Sequence, residues 1–199
     1  MPKLHKFYVP KQIAIFKTIV DNHEEFNTNL KNAILKHREL NPESNKSNVK
    51  AWHSSYHTHK INPHFQPLID LTLCACNFIS VGDFVGHDED IKYEVLNLWT
   101  MMYEDSEWTT RHSHFPCVFS ACYYVDVEPD CAPIIFESIQ NDGVNDYNQP
   151  LEIQPENGML LIWPSILEHE VPPTKGKRMA ISMNITNQPP QPRSNDKKT

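Results

Sequence analysis

From Tyr93 onward the sequence breaks into short apolar runs, each too brief for an independent helix and each closed by turn formers, which limits this part of the chain to a packed β architecture. The runs are Tyr93–Met102, Cys117–Val127, Pro133–Ile139, Gly158–Trp163 and Arg178–Ile185, rich in aromatic and branched residues. Five glycines against sixteen prolines leave most turns to Pro, Asn and Asp, with Asn157-Gly158, Asp142-Gly143 and Lys175-Gly176 as the clearest hairpin signals. Short strands at this spacing predict a two-sheet jelly roll or barrel.

The first part of the chain reads differently. Across residues 11–37 apolar positions recur at helical spacing, with Ile13, Phe16, Ile19 and Val20 on one stripe, which predicts one or two amphipathic helices. Residues 41–50 are turn formers with little apolar surface and read as an exposed loop. Pro63 after Asn62 is a helix start signal, so a second helix is expected from about Pro63 to Phe78. The sum is a mainly β chain with N-terminal helices packed on the outside of the roll. A length of 199 residues suits one domain. We expect it to span residues 1–187, with a helical part over 1–90, a jelly-roll core over 91–187 and a disordered polar tail over 188–199.

A formal net charge of −7 and a pI near 5.8 argue against a broad surface for long nucleic acid or anionic membrane. The sequence offers no signal peptide and no stretch of transmembrane length, so a soluble, cytoplasmic location is expected. Cys74, Cys76, Cys117, Cys122 and Cys131 are odd in number and three lie in apolar runs, which reads as reduced, buried thiols.

Chemistry concentrates in His112-Ser113-His114, in His169 within Leu167-Glu168-His169-Glu170-Val171, and in Arg178. On an extended strand, residues two apart project from one face, so His112 and His114 can aim two imidazoles at one point, with His169 arriving from a later strand. Such a trio suits a mononuclear iron, manganese or zinc ion with open coordination positions. The guanidinium of Arg178 suits the carboxylate of an organic acid. A second group, His53, His57, His59 and His64, also contains a His-x-His step. No Cys, carboxylate or Gly framework accompanies it, and a solvated or substrate-facing loop is the better reading.

Seven fragments in order, Asn97-Leu-Trp99, His112-Ser-His114-Phe-Pro116, Ser120-Ala-Cys-Tyr-Tyr-Val125, Pro155-Glu-Asn-Gly158, Ile162-Trp-Pro-Ser165, Glu168-His169-Glu-Val171 and Arg178-Met-Ala-Ile-Ser-Met-Asn184, cover about the last half of the chain. This set resembles the double-stranded β-helix core of the iron(II) and 2-oxoglutarate-dependent oxygenases, in particular a prolyl-hydroxylase-like family found in bacteria and phages. The resemblance implies that Fe(II) is held at His112, His114 and His169, which are then the catalytic centre, and that 2-oxoglutarate is the cosubstrate. It further implies that Arg178 pairs with the distal carboxylate of 2-oxoglutarate, beside Tyr124, whose other reading is a core aromatic.

Two departures stand out. His114 occupies the place where oxygenases of this fold generally carry Asp or Glu, and either completes a three-histidine face or lines the site beside two ligating histidines. Ala180 stands where many relatives have Ser, and Ser182, on the same face as Arg178, is the candidate replacement. Asn97 could hold substrate or cosubstrate or serve a structural hydrogen bond. The implied activity is hydroxylation of a small molecule or a protein residue with molecular oxygen, in the cytoplasm, or in that of a host if the chain is phage-encoded. Two rivals are a cupin-type three-histidine metalloprotein not using 2-oxoglutarate and a non-catalytic jelly-roll binding module. The cupin Glu expected shortly after His-x-His is missing, since positions 118 and 119 are Val and Phe.

Overall fold

The computed structural model describes residues 14–42, 48–82, 92–137 and 150–188. Eleven strands and three helices follow one another as β1 (Phe16–Ile19), α1 (His23–Leu40), β2 (Val49–Lys50), β3 (Trp52–His53), α2 (Thr58–Ile61), a 3-10 turn at Pro63–Phe65, α3 (Gln66–Gly82), β4 (Tyr93–Tyr103), β5 (Trp108–His112), β6 (Phe119–Val127), β7 (Ile134–Phe136), β8 (Leu151–Ile153), β9 (Met159–Pro164), β10 (His169–Val171) and β11 (Arg178–Asn187). The strands form two antiparallel sheets, ordered β1-β9-β6-β11-β4-β3 and β2-β5-β10-β7-β8. This is a double-stranded β-helix. Among the described residues no helix is long and apolar enough to cross a membrane.

The larger sheet is covered on both faces, which is why its strands read as nearly continuous apolar runs rather than as clean alternation. On β6, Phe119, Ala121, Tyr123 and Val125 join the core under the helices, whereas Cys122 and Tyr124 join the core between the sheets. β11 divides likewise: Met179, Ile181, Met183 and Ile185 pack with Leu30, Ile34, Phe65 and Leu68 of the helical layer, and Ala180 faces inward. Asn27 of α1 ties that layer down, donating Nδ2–H to the Val125 carbonyl at 2.8 Å and accepting the Tyr123 hydroxyl at 2.6 Å.

Several expectations are corrected. Phe16–Ile19 is an edge strand paired with β9, and the N-terminal helix begins only at His23. The apolar spacing favours a helix, but the open edge of β9 supplies backbone partners that a helix would forgo. Within the expected loop at 41–50, Val49–Lys50 pairs with β5. The expected helix at Pro63 opens with a 3-10 turn and runs on to Gly82. All five cysteines are free, as read, but Cys74 is exposed and Cys117 only partly buried. The Asp142-Gly143 hairpin signal, the first residues of the N-terminal helical expectation and nearly all of the expected tail lie outside the described residues.

Gly158 closes the turn into β9 at φ +78°, where an added Cβ would collide with the His23 ring, while its carbonyl accepts the Val20 N–H at 2.9 Å. Both the left-handed backbone and the close approach require glycine. Gly158→Ala is therefore expected to destabilise the fold by at least about 1 kcal/mol, measured as a lowered midpoint in urea unfolding.

Candidate metal centre

His112 ends β5 and His169 begins β10, and the two are direct cross-strand partners. Their rings lie 4.4 Å apart between centroids. His114 is not on the strand as expected but in the turn that follows it, held by its N–H donating to the Ser165 carbonyl at 2.9 Å. Ser165 is itself fixed to Ser120 through their hydroxyls at 2.8 Å. The turn brings the His114 ring to 4.8 Å from His112 and 5.2 Å from His169. One nitrogen from each imidazole lies within 4.8 Å of the other two, and this is the single such cluster of three or more metal-capable side chains among the described residues.

The chemistry of these donors suits a divalent ion. Nδ1 of His112 faces the Thr110 carbonyl at 2.8 Å and Nδ1 of His169 the Leu167 carbonyl at 3.1 Å. A carbonyl only accepts, so each Nδ1 carries the proton and Nε2 keeps its lone pair for a ligand bond. Burial pushes all three imidazoles toward the neutral, ligating form. His112 is lowered by burial, His114 to about 4 by burial and the neighbouring His112, and His169 well below the ordinary value by burial and both neighbours. On the outer face of the same strands Arg111 is ion-paired with Glu137 and, at 3.8 Å, with Glu170. These half-exposed pairs contribute about 1 kcal/mol or less each, so strand pairing holds the histidines in place.

Arg178 lies in the same cavity, of about 510 Å³, and is only 2 % exposed. It donates from Nη1 to the Ala132 carbonyl at 3.0 Å and from Nη2 to the Tyr124 hydroxyl at 3.3 Å, between the rings of Tyr103 and Tyr124, each 5.1 Å from its carbon. Its Nε has no partner, and among the described residues no carboxylate stands within ion-pair distance. A buried cation without a counter-charge costs several kcal/mol, which an anionic ligand would offset. The donor set and this cation together fit a metal ion and an organic acid.

The remaining candidates divide. Asn97, Ser182 and Asn184 line the cavity, whereas Tyr124 is fully buried behind Arg178. Asn97 and Asn184 are cross-strand partners, and the Asn184 Oδ1 is buried with no hydrogen-bond partner. Tyr103, Trp163 and Thr109 also line the cavity and were not singled out for it; period-two counting from Asn97 through Trp99 would have reached Tyr103, which pairs with Arg178 across the strands. Of the second histidine group, only His53 reaches the cavity, stacked on Trp99 at 5.7 Å. The rings of His57 and His59 sit 6.3 Å apart, with no third metal-capable side chain beside them among the described residues.

Residues 97–184 match the family model described as "Putative 2OG-Fe(II) oxygenase". No curated protein matches the chain. Its fold is similar to that of a prolyl-4-hydroxylase from Pseudomonas putida, at 15% identity and a TM-score of 0.61 over 88% of this chain and 93% of that one. It is likewise similar to a Trichoplax adhaerens prolyl hydroxylase crystallised with a hypoxia inducible factor peptide, at 14% identity and a TM-score of 0.63 over 87% and 83%. A third is the non-heme alpha ketoglutarate dependent carbocyclase SnoK of nogalamycin biosynthesis, at 10% identity and a TM-score of 0.65 over 86% and 78%.

Manganese(II) or zinc(II) in excess is expected to raise the melting temperature by about 5–10 °C, the size set by a ligand near a hundred times its dissociation constant. His169→Ala should abolish that rise and His57→Ala should keep it; the opposite pattern would move the metal to the N-terminal pair.

Proposed function

We propose that the chain is an iron(II) and 2-oxoglutarate-dependent oxygenase, a reading supported by the match over residues 97–184, and that it hydroxylates an organic substrate at a centre held by His112, His114 and His169. The observation that carries the reading is a buried guanidinium with no carboxylate beside it among the described residues, in the cavity that also holds three converging imidazoles. When bound, iron(II) with 2-oxoglutarate and oxygen supplies an oxidative decarboxylation that yields succinate and carbon dioxide and transfers one oxygen atom to substrate.

Each residue then has a task. Arg178 receives the distal carboxylate of 2-oxoglutarate through its planar fork, and this sets the angle of the keto acid in the cavity. Ala132 and Tyr124 fix the fork, and the Tyr103 and Tyr124 rings flank it. Burial pushes both phenols up, so they remain protonated hydrogen-bonding groups. Ser182 and Asn97 are polar wall positions for the keto acid or the substrate. The buried inner wall, with Trp163 edge-on to His169 at 5.0 Å, keeps water from the His169 side of the centre.

His114 makes the protein's donor set neutral, so the dianion of 2-oxoglutarate becomes the main counter-charge to the metal. Metal and cosubstrate should therefore strengthen each other's binding, reciprocally. His114→Asp is expected to tighten metal binding without 2-oxoglutarate and to shrink this mutual enhancement, both read by calorimetric titration. Unchanged values would place His114 outside the ligand set.

With iron(II), 2-oxoglutarate and air, the protein is expected to form succinate, and Arg178→Ala to raise the 2-oxoglutarate requirement by about thirtyfold or more, the loss of one partner of a buried charge pair. No succinate from protein that has bound iron would overturn the reading, and an unchanged requirement would overturn the role of Arg178.

A further inference from the structure

Three large apolar side chains that the fold leaves in water converge on this one cavity. Tyr56 comes from the turn after β3 and is 41% exposed, Leu96 from β4 at 45%, and Phe115 from the turn beside His114 at 72%. Convergence of exposed apolar groups from separate segments at a concave site is the mark of a ligand surface rather than of scattered surface residues. Tyr56 is braced from behind. Its ring meets Trp99 edge-on at 5.3 Å and His53 at 5.1 Å, and Trp99 and His53 are themselves stacked and buried. Trp99 continues the chain of rings to His114 at 5.5 Å, so the exposed aromatic wall ends at the metal centre.

The charge of the lining narrows the ligand. Among the described residues the cavity is lined by no Asp, Glu or Lys, and its single permanent charge is Arg178. A cationic ligand would find no counter-charge, and an anionic one would compete with the keto acid for Arg178. A volume of about 510 Å³ shared with the keto acid suits a small molecule.

Resting on the oxygenase reading for its role as substrate, we infer that the second occupant of this cavity is a neutral small molecule bearing a planar ring, which is held against Tyr56 and Phe115 within reach of His114. Flat apolar faces pack on aromatic rings with a gain of about 1 kcal/mol beyond burial, so each of the two rings should contribute about fivefold in affinity. Leu96 adds an aliphatic side to the same wall.

The test titrates indole, phenyltrimethylammonium and benzoate, each followed by ligand-observed NMR. The protein is used metal-free and also loaded with zinc(II) and 2-oxoglutarate, which prevents turnover. Indole is expected to bind both forms and the cation neither; benzoate should lose whatever binding it has once 2-oxoglutarate is present. Tyr56→Ala and Phe115→Ala should each weaken indole about fivefold while zinc and 2-oxoglutarate binding stay as in the parent. Phe78→Ala, which removes an equally large side chain 83% exposed on α3 and away from the cavity, should leave indole binding unchanged.

Failure of 2-oxoglutarate to bind the zinc form, with indole still bound through Tyr56 and Phe115, would sink the oxygenase reading and leave the ring site standing. Tighter binding of the cation, indole binding indifferent to both substitutions, or much tighter binding of the same ring carried within a blocked peptide would overturn the inference.

Discussion

Strand β11 is the member on which the rest of the structure depends. It is hydrogen-bonded to β4 on one side and β6 on the other over most of its length, so each residue from Arg178 to Ile185 has a fixed neighbour in both directions. Because side chains alternate, one set of residues must satisfy the helical layer and the other the space between the sheets. Met179, Ile181, Met183 and Ile185 meet the first demand; Arg178, Ser182 and Asn184 stand on the second face, at the cavity. A one-residue slip would bury the methionines in the site and press the guanidinium against Leu68 and Phe65. The register that stabilises the fold is thus the register that aims Arg178.

The candidate metal centre depends on the smaller sheet in the same way. His112 and His169 meet because β5 and β10 pair there, and the register irregularity between His169 and Val171 lies at that junction. His114 arrives by a different device, a turn pinned to Ser165, which is pinned in turn to Ser120 on β6. The larger sheet therefore also positions the turn that leaves the smaller one. This dependence explains how an unusual donor set of three neutral imidazoles can persist: the backbone that presents it is held by bonds that do not involve the imidazoles.

Much of this was legible in the sequence where local chemistry decides. The long strands β4, β6, β9 and β11 stood out through aromatic and branched residues, and Arg178 and Ser182 fell on one face by simple alternation. What was not legible was decided by distant partners. Phe16, Ile19 and Val20 keep helical spacing and do not alternate as a strand would, and it is the free edge of β9 that draws Phe16–Ile19 into a strand. β5, Trp-Thr-Thr-Arg-His, has no apolar run because its outer face carries the Arg111 ion pairs. Tyr56 and Phe115 lie in turns, where no periodicity says which way a side chain points. The likeness of the later fragments to a known family reached the three histidines, yet it could not foresee that the third is delivered by a turn rather than a strand.

The three imidazoles and Arg178 are proposed to hold one metal ion and one keto acid together. Anaerobic addition of 2-oxoglutarate to the iron(II)-loaded protein tests it most directly. A weak visible absorption band should grow with 2-oxoglutarate to a stoichiometry of one per chain and vanish in His169→Ala. Iron that stays bound while no band develops at saturating 2-oxoglutarate would contradict it.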